Sequence, residues 1–185
     1  MIGAPGAGGE ANKAYVFELT GSNTWEEQQF LTPDSPQASG GFGWSVAIAG
    51  NFIAVGAPFE DSAWGAVYLY EKEPDGSWHL SDRVVASDRS EDASFGDAVA
   101  LDGDLLLVGA QYGPDVTFTG RAYLFARNSA GSWREALAFS GSDLAAGDRF
   151  GRGLDLSSTS VAVGAPGRDT DAGVSSVGEV FIYAR

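Results

Sequence analysis

The sequence predicts an all-β protein built from repeated four-stranded antiparallel sheets, the blades of a β-propeller. The first observation behind this prediction is an internal repeat of about 53 residues. A Gly-Ala pair recurs at intervals of 53, 53 and 55 residues, beginning at Gly3, Gly56, Gly109 and Gly164. A Phe-Gly pair keeps the same spacing, beginning at Phe42, Phe95 and Phe150. Markers in constant order indicate that one structural unit recurs along the chain.

Aromatic residues are the second observation, and they keep step with the glycine markers. Each repeat carries two aromatic residues separated by one other residue, at positions 15/17, 68/70, 123/125 and 181/183. A tryptophan follows each of the first three pairs by eight residues, at Trp25, Trp78 and Trp133. Because aromatic side chains bury large areas, we expect these rings to fill the space between neighbouring sheets.

The repeat at residues 42–94 shows how each unit divides into strands. Its second strand, FIAVGA, is a nearly continuous apolar run, which is typical of a strand covered on both faces. Its third strand, AVYLYE, is rich in residues that favour strands. The four predicted strands are residues 44–49, 52–57, 66–71 and 77–85. The stretch PFEDSAW and residues 86–94 are predicted loops, and no segment has the pattern of a long amphipathic helix.

The two recurring motifs are interpreted as structural. Glycine and alanine at the end of the second strand allow another backbone to approach closely, and proline ends the ladder because it has no N–H. In the Phe-Gly pair, we expect the ring to pack and the glycine to relax the backbone. The residues assigned to this structural role are Phe42, Gly43, Gly56, Pro58, Phe95, Gly96, Gly109, Phe150, Gly151, Gly164 and Pro166.

A single propeller-type region spans residues 1–185 in this interpretation. It contains about three and a half repeats, divided as 1–41 (partial), 42–94, 95–149 and 150–185 (partial). The first repeat lacks a Phe-Gly strand and the last lacks a tryptophan strand, which predicts sheets of three, four, four and three strands. A blade buries both of its faces only against neighbours, so the repeats are expected to stack around an axis.

An open stack of blades leaves unpaired strand edges and uncovered faces, which favour association with other chains. We therefore expect the chain either to form a homo-oligomer or to be part of a longer propeller chain.

Composition excludes several function classes. The net charge of −14, from 25 acidic and 11 basic residues, argues against nucleic acid and anionic membranes as partners. No apolar run approaches the roughly 20 residues of a membrane span, so no membrane insertion is expected. The absence of cysteine excludes disulfides and thiolate metal sites. His79 is the only histidine, which leaves little for histidine-based catalysis.

The repeat text resembles FG-GAP repeats, the blade unit of the integrin α-subunit β-propeller and of many bacterial extracellular proteins. The matching segments are FGWSVAIAGNFIAVGAP, FGDAVALDGDLLLVGAQ and FGRGLDLSSTSVAVGAP. The likeness covers essentially the whole chain and is strongest to the bacterial branch of these repeats. It implies an extracellular or bacterial cell-surface location, with a signal segment outside these residues. It also implies a module that binds protein ligands, often in adhesion.

The resemblance does not extend to the calcium-binding loop of these repeats. Calcium-binding FG-GAP blades have a D-x-D-x-D-G-like loop between the first and second strands, where an oxygen-rich loop can wrap a hard cation. The corresponding connections here are short hairpin turns, and the third repeat offers only Asp102 and Asp104. Two carboxylates are too few for six to eight oxygen ligands. We therefore expect no metal at these turns and no other cofactor, which leaves the acidic rim described next as the one place where a cation is an alternative.

An acidic rim is the candidate binding surface. The loops after the second strands and before the first strands are expected at the same rim, because antiparallel strands alternate ends. Loops on a rigid scaffold are the usual place for binding. The candidate ligand-binding residues are Glu60, Asp61, Trp64, Asp92, Asp115, Asp148, Asp169 and Asp171. Arg89, Arg149 and Arg168 lie among these acids and are candidates to pair with them.

The function predicted first is a non-enzymatic protein-interaction or adhesion module whose partner is a protein, with a basic partner favoured by the charge. No nucleophile–histidine–acid set and no phosphate-binding glycine motif is present. The alternative is a carbohydrate-binding propeller, for which Trp44, Trp64 and Tyr112 are candidate stacking residues. A third hypothesis, a glycosidase with paired carboxylates, has little support because 25 acids always provide some suggestive pair.

Overall fold

A computed structural model describes residues 1–6, 12–34, 40–113, 119–141, 143–169 and 176–185. The described chain is almost entirely β-structure. Its strands are β1 (Ile2–Ala4), β2 (Lys13–Leu19), β3 (Trp25–Leu31), β4 (Val46–Ala49), β5 (Phe52–Ala57), β6 (Ala66–Lys72), β7 (Trp78–Val84), β8 (Phe95–Asp102), β9 (Leu105–Ala110), β10 (Arg121–Arg127), β11 (Trp133–Phe139), β12 (Gly153–Leu156), β13 (Ser160–Ala165) and β14 (Glu179–Ala184).

These strands form four antiparallel sheets in chain order. The first sheet is β1-β2-β3, the second β4-β5-β6-β7, the third β8-β9-β10-β11 and the fourth β12-β13-β14. Every neighbour in a sheet is also the neighbour in sequence, so each unit is a simple meander. The all-β prediction and the predicted division into three, four, four and three strands are confirmed within the described residues.

Two local details of the second sheet differ from the prediction. Its first strand begins at Val46 and not at residue 44, although the N–H of Gly43 already donates to the carbonyl of Gly56 over 3.0 Å. The predicted loop after Pro58 contains a single turn, α1 (Glu60–Ala63), in which Asp61 has a positive φ of 52°. In the described part of the chain, no helix is long or apolar enough to cross a membrane.

Neighbouring sheets bury their facing side chains in three separate apolar clusters. Between the second and third sheets, Val67 and Leu69 pack in the same cluster as Tyr123, Phe125 and Trp133. Equivalent clusters join the first sheet to the second and the third to the fourth. The apolar second strands and aromatic third strands therefore fill the space between blades, as the sequence predicted.

The first strands of the sheets converge on a common centre. Strands β4 and β12 both pack against β8, whereas the fourth strands β7 and β11 approach each other at only a few residues. Sheets that come together at their first strands and spread apart at their fourth strands are arranged as propeller blades around an axis.

Each Phe-Gly pair lies at a junction between two sheets. The Phe42 ring packs edge-on against Tyr68 of its own sheet, with the ring centroids 5.4 Å apart. The adjoining Gly43 reaches back to the preceding sheet, where its carbonyl oxygen lies 2.0 Å from the position that a Cβ on Gly3 would occupy. The same approach recurs between Gly96 and Gly56. Only glycine at the end of the second strand permits this backbone contact.

The two end sheets each have one face without a neighbour among the described residues. The aromatic end face belongs to the first sheet and consists of Ile2, Tyr15, Phe17 and Trp25. The aliphatic end face belongs to the fourth sheet and consists of Ala162, Gly164, Val180 and Ile182. The tryptophans show the contrast: Trp78 and Trp133 are 7% and 2% exposed, whereas Trp25 is 65% exposed. The prediction that all three fill space between sheets is therefore wrong for Trp25.

Candidate functional site

The loops that follow the second strands and the loops that precede the first strands meet at one rim, here called the loop rim. The N–H of Ser94 donates to the carbonyl of Ala63 over 2.9 Å, which joins the two loops beside the second sheet. Beside the fourth sheet, the N–H of Gly167 donates to the carbonyl of Asp148 over 3.0 Å. The backbone thus holds the predicted loops together in pairs.

Glu60 differs from the exposed rim ligand that the sequence predicts, because its side chain is buried. Its Oε2 accepts a hydrogen bond of 2.7 Å from the Tyr68 hydroxyl, and its Oε1 accepts one of 3.0 Å from Arg83 Nε. Burial, together with the adjacent Glu60 carboxylate, raises the pKa of Tyr68 above its usual range. A buried carboxylate is retained only when its charge is paired, and Arg83 provides that charge. The Glu60 carboxylate therefore has a structural role in the loop rim.

Asp61 remains exposed, but its charge is compensated. Its Oδ2 lies 2.9 Å from Arg89 Nη2 and 3.3 Å from Arg83 Nη2. The hydrogen bond from Arg89 lowers the pKa of Asp61, and Arg83 acts in the same direction. The Arg89 guanidinium also stacks over Trp64, with Cζ 4.7 Å from the ring centroid. The structure therefore brings Asp61 and Trp64 together through one arginine.

The remaining rim candidates divide between exposed and buried positions. Asp92 and Asp169 are exposed, and Asp169 accepts a hydrogen bond of 2.7 Å from the N–H of Ser176. Asp148 is buried, accepts a hydrogen bond of 2.8 Å from the N–H of Ala145, and lies 3.3 Å from Arg168 Nη1. It is a structural acid like Glu60. Two further predicted residues, Asp115 and Asp171, lie outside the described residues.

A row of three side chains at the inner end of the sheets was missed by the sequence reasoning. Trp44 Nε1 donates to Asp97 Oδ1 over 3.0 Å, and Arg152 Nη1 lies 3.7 Å from Asp97 Oδ2. Each residue directly follows a Phe-Gly pair, and each belongs to a different repeat. An alignment of the repeats with one another places the three residues at one equivalent position, and this alignment could have identified them. The sequence did not predict their contacts because the three side chains differ in chemistry.

Asp97 is the central residue of this row and its carboxylate is buried. Burial raises the pKa of Asp97, while the Arg152 charge and the hydrogen bond from Trp44 oppose that increase. Gln111 extends the row, since Arg152 Nη1 donates to Gln111 Oε1 over 2.8 Å. These contacts link three sheets near the axis through side chains.

An exposed aromatic pair lies on the loop rim beside this row. Trp44 is 47% exposed, and its ring meets Phe59 edge-on with the centroids 4.9 Å apart. Phe59 is also exposed, whereas Tyr112, another residue considered for ligand stacking, is only half-exposed. Exposed aromatic side chains on a rigid rim provide apolar contact area for a partner. Trp44 and Phe59 are therefore the clearest apolar contact positions on the described rim.

Candidate metal ligands are dispersed over the described residues. In the ranges that the structure describes, no group of three or more His, Asp or Glu side chains lies close enough to hold an ion. The connections between first and second strands are tight turns, with Gly50 and Gly103 at positive φ values of 56° and 57°. His79 lies away from these turns, with Nδ1 3.1 Å from Glu73 Oε1.

Four consecutive meander sheets, packed face to face and converging at their first strands, define a β-propeller-type repeat protein. A protein-family profile described as the FG-GAP repeat matches residues 25–70, 78–125 and 133–183. The chain therefore belongs to the FG-GAP repeat family, as the resemblance in sequence predicted. No curated protein sequence matches the chain.

The matched segments are offset from the sheets. Each begins in the last strand of one sheet, at one of the periodic tryptophans, Trp25, Trp78 or Trp133. It then continues through the first three strands of the next sheet. One family repeat therefore spans two adjacent blades, so the covalent chain itself ties neighbouring blades together.

Proposed function

We propose that this chain is a non-enzymatic protein-interaction module at the cell surface or outside the cell, and that it binds its partner through the loop rim. FG-GAP repeats typically occur in extracellular proteins, which supports the compartment. The observation that carries the proposal is the combination of exposed Trp44 and Phe59 with exposed acids on one rim of a rigid stack. Binding surfaces usually combine apolar anchors with a polar surround of this kind.

The absence of enzymatic activity is part of the proposal. The buried acids Glu60 and Asp148 are engaged by arginines and backbone groups, which leaves them poorly suited to accept a substrate proton. His79 on β7 pairs with Glu73 of the preceding turn, away from the loop rim. In this proposal, Glu60 and Asp148 stabilise the loop rim, and the exposed residues of the rim form the binding surface.

A basic protein segment is the partner class that the charge favours. The chain carries a net charge of −14, and Asp61, Asp92 and Asp169 are exposed on the loop rim. The negative electrostatic potential of the chain attracts cationic side chains toward this rim. Such attraction mainly increases the association rate, and it weakens as the salt concentration rises. Adhesion would follow if the partner were part of another cell or of a matrix.

A charge-matched pair of triple variants tests the rim. The rim variant carries Asp61→Asn, Asp92→Asn and Asp169→Asn, and the control carries Asp75→Asn, Asp102→Asn and Asp104→Asn on the turns at the opposite ends of the strands. Both variants change the net charge equally. Fluorescence anisotropy with a lysine-rich peptide should show weaker binding for the rim variant only, and the binding should decline with salt. Equal weakening in both variants would indicate a general charge effect and would contradict the proposal.

A carbohydrate ligand is the alternative, and exposed Trp44 is the observation that favours it. Trp64 is less suited to stack on a sugar, since Arg89 already covers one face of its ring. A glycan array probed with the chain and with Trp44→Ala decides between the two. Hits that disappear in the variant would replace the protein partner with a sugar.

Self-association is a further part of the proposal. The aromatic and aliphatic end faces expose Trp25, Val180 and Ile182, and such faces favour contact with further blades of the same kind. Sedimentation equilibrium should give a mass above 19.2 kDa that rises with concentration. Ile182→Lys should reduce the association, whereas Ile48→Lys on the inner strand β4 should not. A constant monomer mass at all concentrations would contradict this part.

A further inference from the structure

A cleft of about 280 Å³ lies on the loop rim at the fourth sheet. Its walls come from the loop before β12 and from the loop between β13 and β14. The lining residues are Gly147, Arg149, Arg152, Pro166, Gly167 and Ser176. An engineered apolar cavity of roughly 150 Å³ holds benzene, so this cleft has room for one aromatic ring with a polar substituent.

The rim of the second sheet shows which side chain belongs at this position in the repeat. There, the N–H of Phe59 donates to the carbonyl of Gly40 over 3.0 Å. In the fourth sheet, the N–H of Gly167 makes the same bond to the carbonyl of Asp148, also over 3.0 Å. Positions 59 and 167 are therefore equivalent, and the third sheet has Tyr112 at this position. The fourth sheet thus lacks an aromatic side chain that the two preceding sheets carry.

The backbone of the fourth sheet excludes a side chain at this position. A Cβ on Gly167 would lie 2.1 Å from the carbonyl oxygen of Gly147. Atoms cannot approach this closely, so residue 167 must be glycine unless the loop before β12 moves. The space beside Gly167 is therefore a built-in feature of these two loops, and an outside group is needed to fill it.

Two arginines occupy the positions of the residues that surround Phe59. In the second sheet, the Phe59 ring covers Gly41 and meets Trp44 edge-on, with the ring centroids 4.9 Å apart. The N–H of Trp44 donates to the carbonyl of Gly41 over 2.9 Å. The N–H of Arg152 donates in the same way to the carbonyl of Arg149, over 3.2 Å. A ring in the cleft would therefore have two guanidinium groups as neighbours.

Arg149 supplies a positive charge that the described part of the chain does not neutralise. Its side chain is exposed and forms no ion pair with another described residue. The acids nearest the cleft already have donors, because Asp97 Oδ2 lies 3.7 Å from Arg152 Nη1 and Asp169 Oδ1 accepts a hydrogen bond of 2.7 Å from the N–H of Ser176. One uncompensated guanidinium beside a ring-sized space favours a ligand with a single negative charge.

The cleft does not result from the uncovered face of the fourth sheet. The second sheet has the third sheet as its neighbour on the corresponding side, where Trp44 donates to Asp97. Phe59 and Trp44 are nevertheless 39% and 47% exposed. A further sheet beside the fourth would therefore leave the cleft accessible from the rim.

We propose that this cleft binds an aromatic carboxylate. The ring lies against Pro166, in the space that corresponds to the Phe59 ring, and the carboxylate pairs with Arg149 and Arg152. A guanidinium group matches the plane of a carboxylate and also stacks on aromatic faces, so the same two side chains recognise both parts of the ligand. The inference goes beyond the basic partner proposed for the loop rim and does not depend on it.

Titration with phenylacetate, followed by two-dimensional amide NMR, tests the site. We expect saturable shifts at the amides of Gly147, Gly167 and Ser176. Phenylacetamide keeps the ring without the charge, and acetate keeps the charge without the ring. Each should bind at least about threefold more weakly than phenylacetate, since each loses one of the two contacts.

A peptide that ends in phenylalanine with a free carboxylate distinguishes two sources of this ligand. Tighter binding of the peptide than of phenylacetate would identify the C-terminus of a protein, and weaker binding would identify a free aromatic acid. Either result supports a cleft for an aromatic carboxylate, provided that the C-terminal amide of the peptide binds more weakly than the acid.

Two protein variants with the same change in net charge provide the matched control. Arg149→Gln should weaken phenylacetate binding by about threefold or more, whereas Arg134→Gln on β11 should leave it unchanged. Circular dichroism is used to check that both variants remain folded. Three results would overturn the proposal: no saturable shifts at the cleft, equal affinity for phenylacetate and phenylacetamide, or equal loss of binding in both variants.

Discussion

The junctions between blades and the two end faces are made of equivalent residues, yet their surroundings differ. Val67 and Leu69 are completely buried between sheets, whereas Val180 and Ile182, at the same positions of the fourth sheet, are about two-thirds exposed. The same strand pattern therefore yields core or surface according to whether a neighbouring sheet is present. In this protein, burial belongs to the interface between repeats and not to the repeat itself.

The largest contrast is expected from the periodic tryptophans. Trp133→Ala removes a ring that is 2% exposed and packs edge-on against Phe52, so it should lower the free energy of unfolding by about 3–5 kcal/mol. Trp25→Ala removes a ring at the same position of the first sheet and should cost less than about 1 kcal/mol. Urea unfolding of both variants measures the difference. Equal losses would show that Trp25 is also part of a core.

A smaller but sharper contrast concerns the glycines that end the second strands. A Cβ on Gly109 would lie 1.9 Å from the carbonyl oxygen of Gly151, so Gly109→Ala must displace backbone and should cost roughly 1–3 kcal/mol or more. A Cβ on Gly164 meets nothing closer than 3.5 Å, so Gly164→Ala should change stability by about 0.5 kcal/mol or less. Thermal unfolding compares the two. A destabilised Gly164→Ala would indicate that a further blade covers the fourth sheet.

The smallest effect is expected at Asp97, where three sheets meet. Because burial raises the pKa of Asp97, the folded protein holds that proton more tightly than the unfolded chain does. This contribution to stability is full below the unfolded pKa and declines as the pH rises through the folded pKa. Asp97→Asn removes the decline and preserves an acceptor for Trp44 Nε1.

Urea unfolding of the wild type and Asp97→Asn at several pH values measures this effect. The variant should gain stability relative to the wild type as the pH increases from below 4 toward 7. An opposite trend would mean that the ion pair with Arg152 outweighs the cost of burial.

Much of the fold was predictable because the repeat supplies its own internal comparison. The second strand of the second sheet has the predicted bounds, Phe52–Ala57, since a continuous apolar run between a Gly-Asn turn and a proline leaves little freedom. The number of strands in each sheet followed from which markers each repeat carries. Local periodicity and turn residues carry these features, so sequence alone was sufficient.

The site was less predictable because its contacts cross between distant residues. Glu60 reads as a surface acid in sequence, but Arg83, 23 residues later, and Tyr68 bury it. The sequence predicts Trp25 to be a core residue because its equivalents Trp78 and Trp133 are, but no sheet of the described residues covers it. Periodicity in the sequence identifies equivalent positions in the repeats. The burial of each position, however, depends on which residues of the neighbouring sheet pack against it.

Native-state hydrogen exchange tests most directly whether the sheets are stabilised through their neighbours. The interior strands β5, β6, β9 and β10 should exchange only with global unfolding, whereas β1 and β14 should exchange by local opening at lower free energy. Uniform protection in all four sheets, or stronger protection in the end sheets than in the middle ones, would contradict this account.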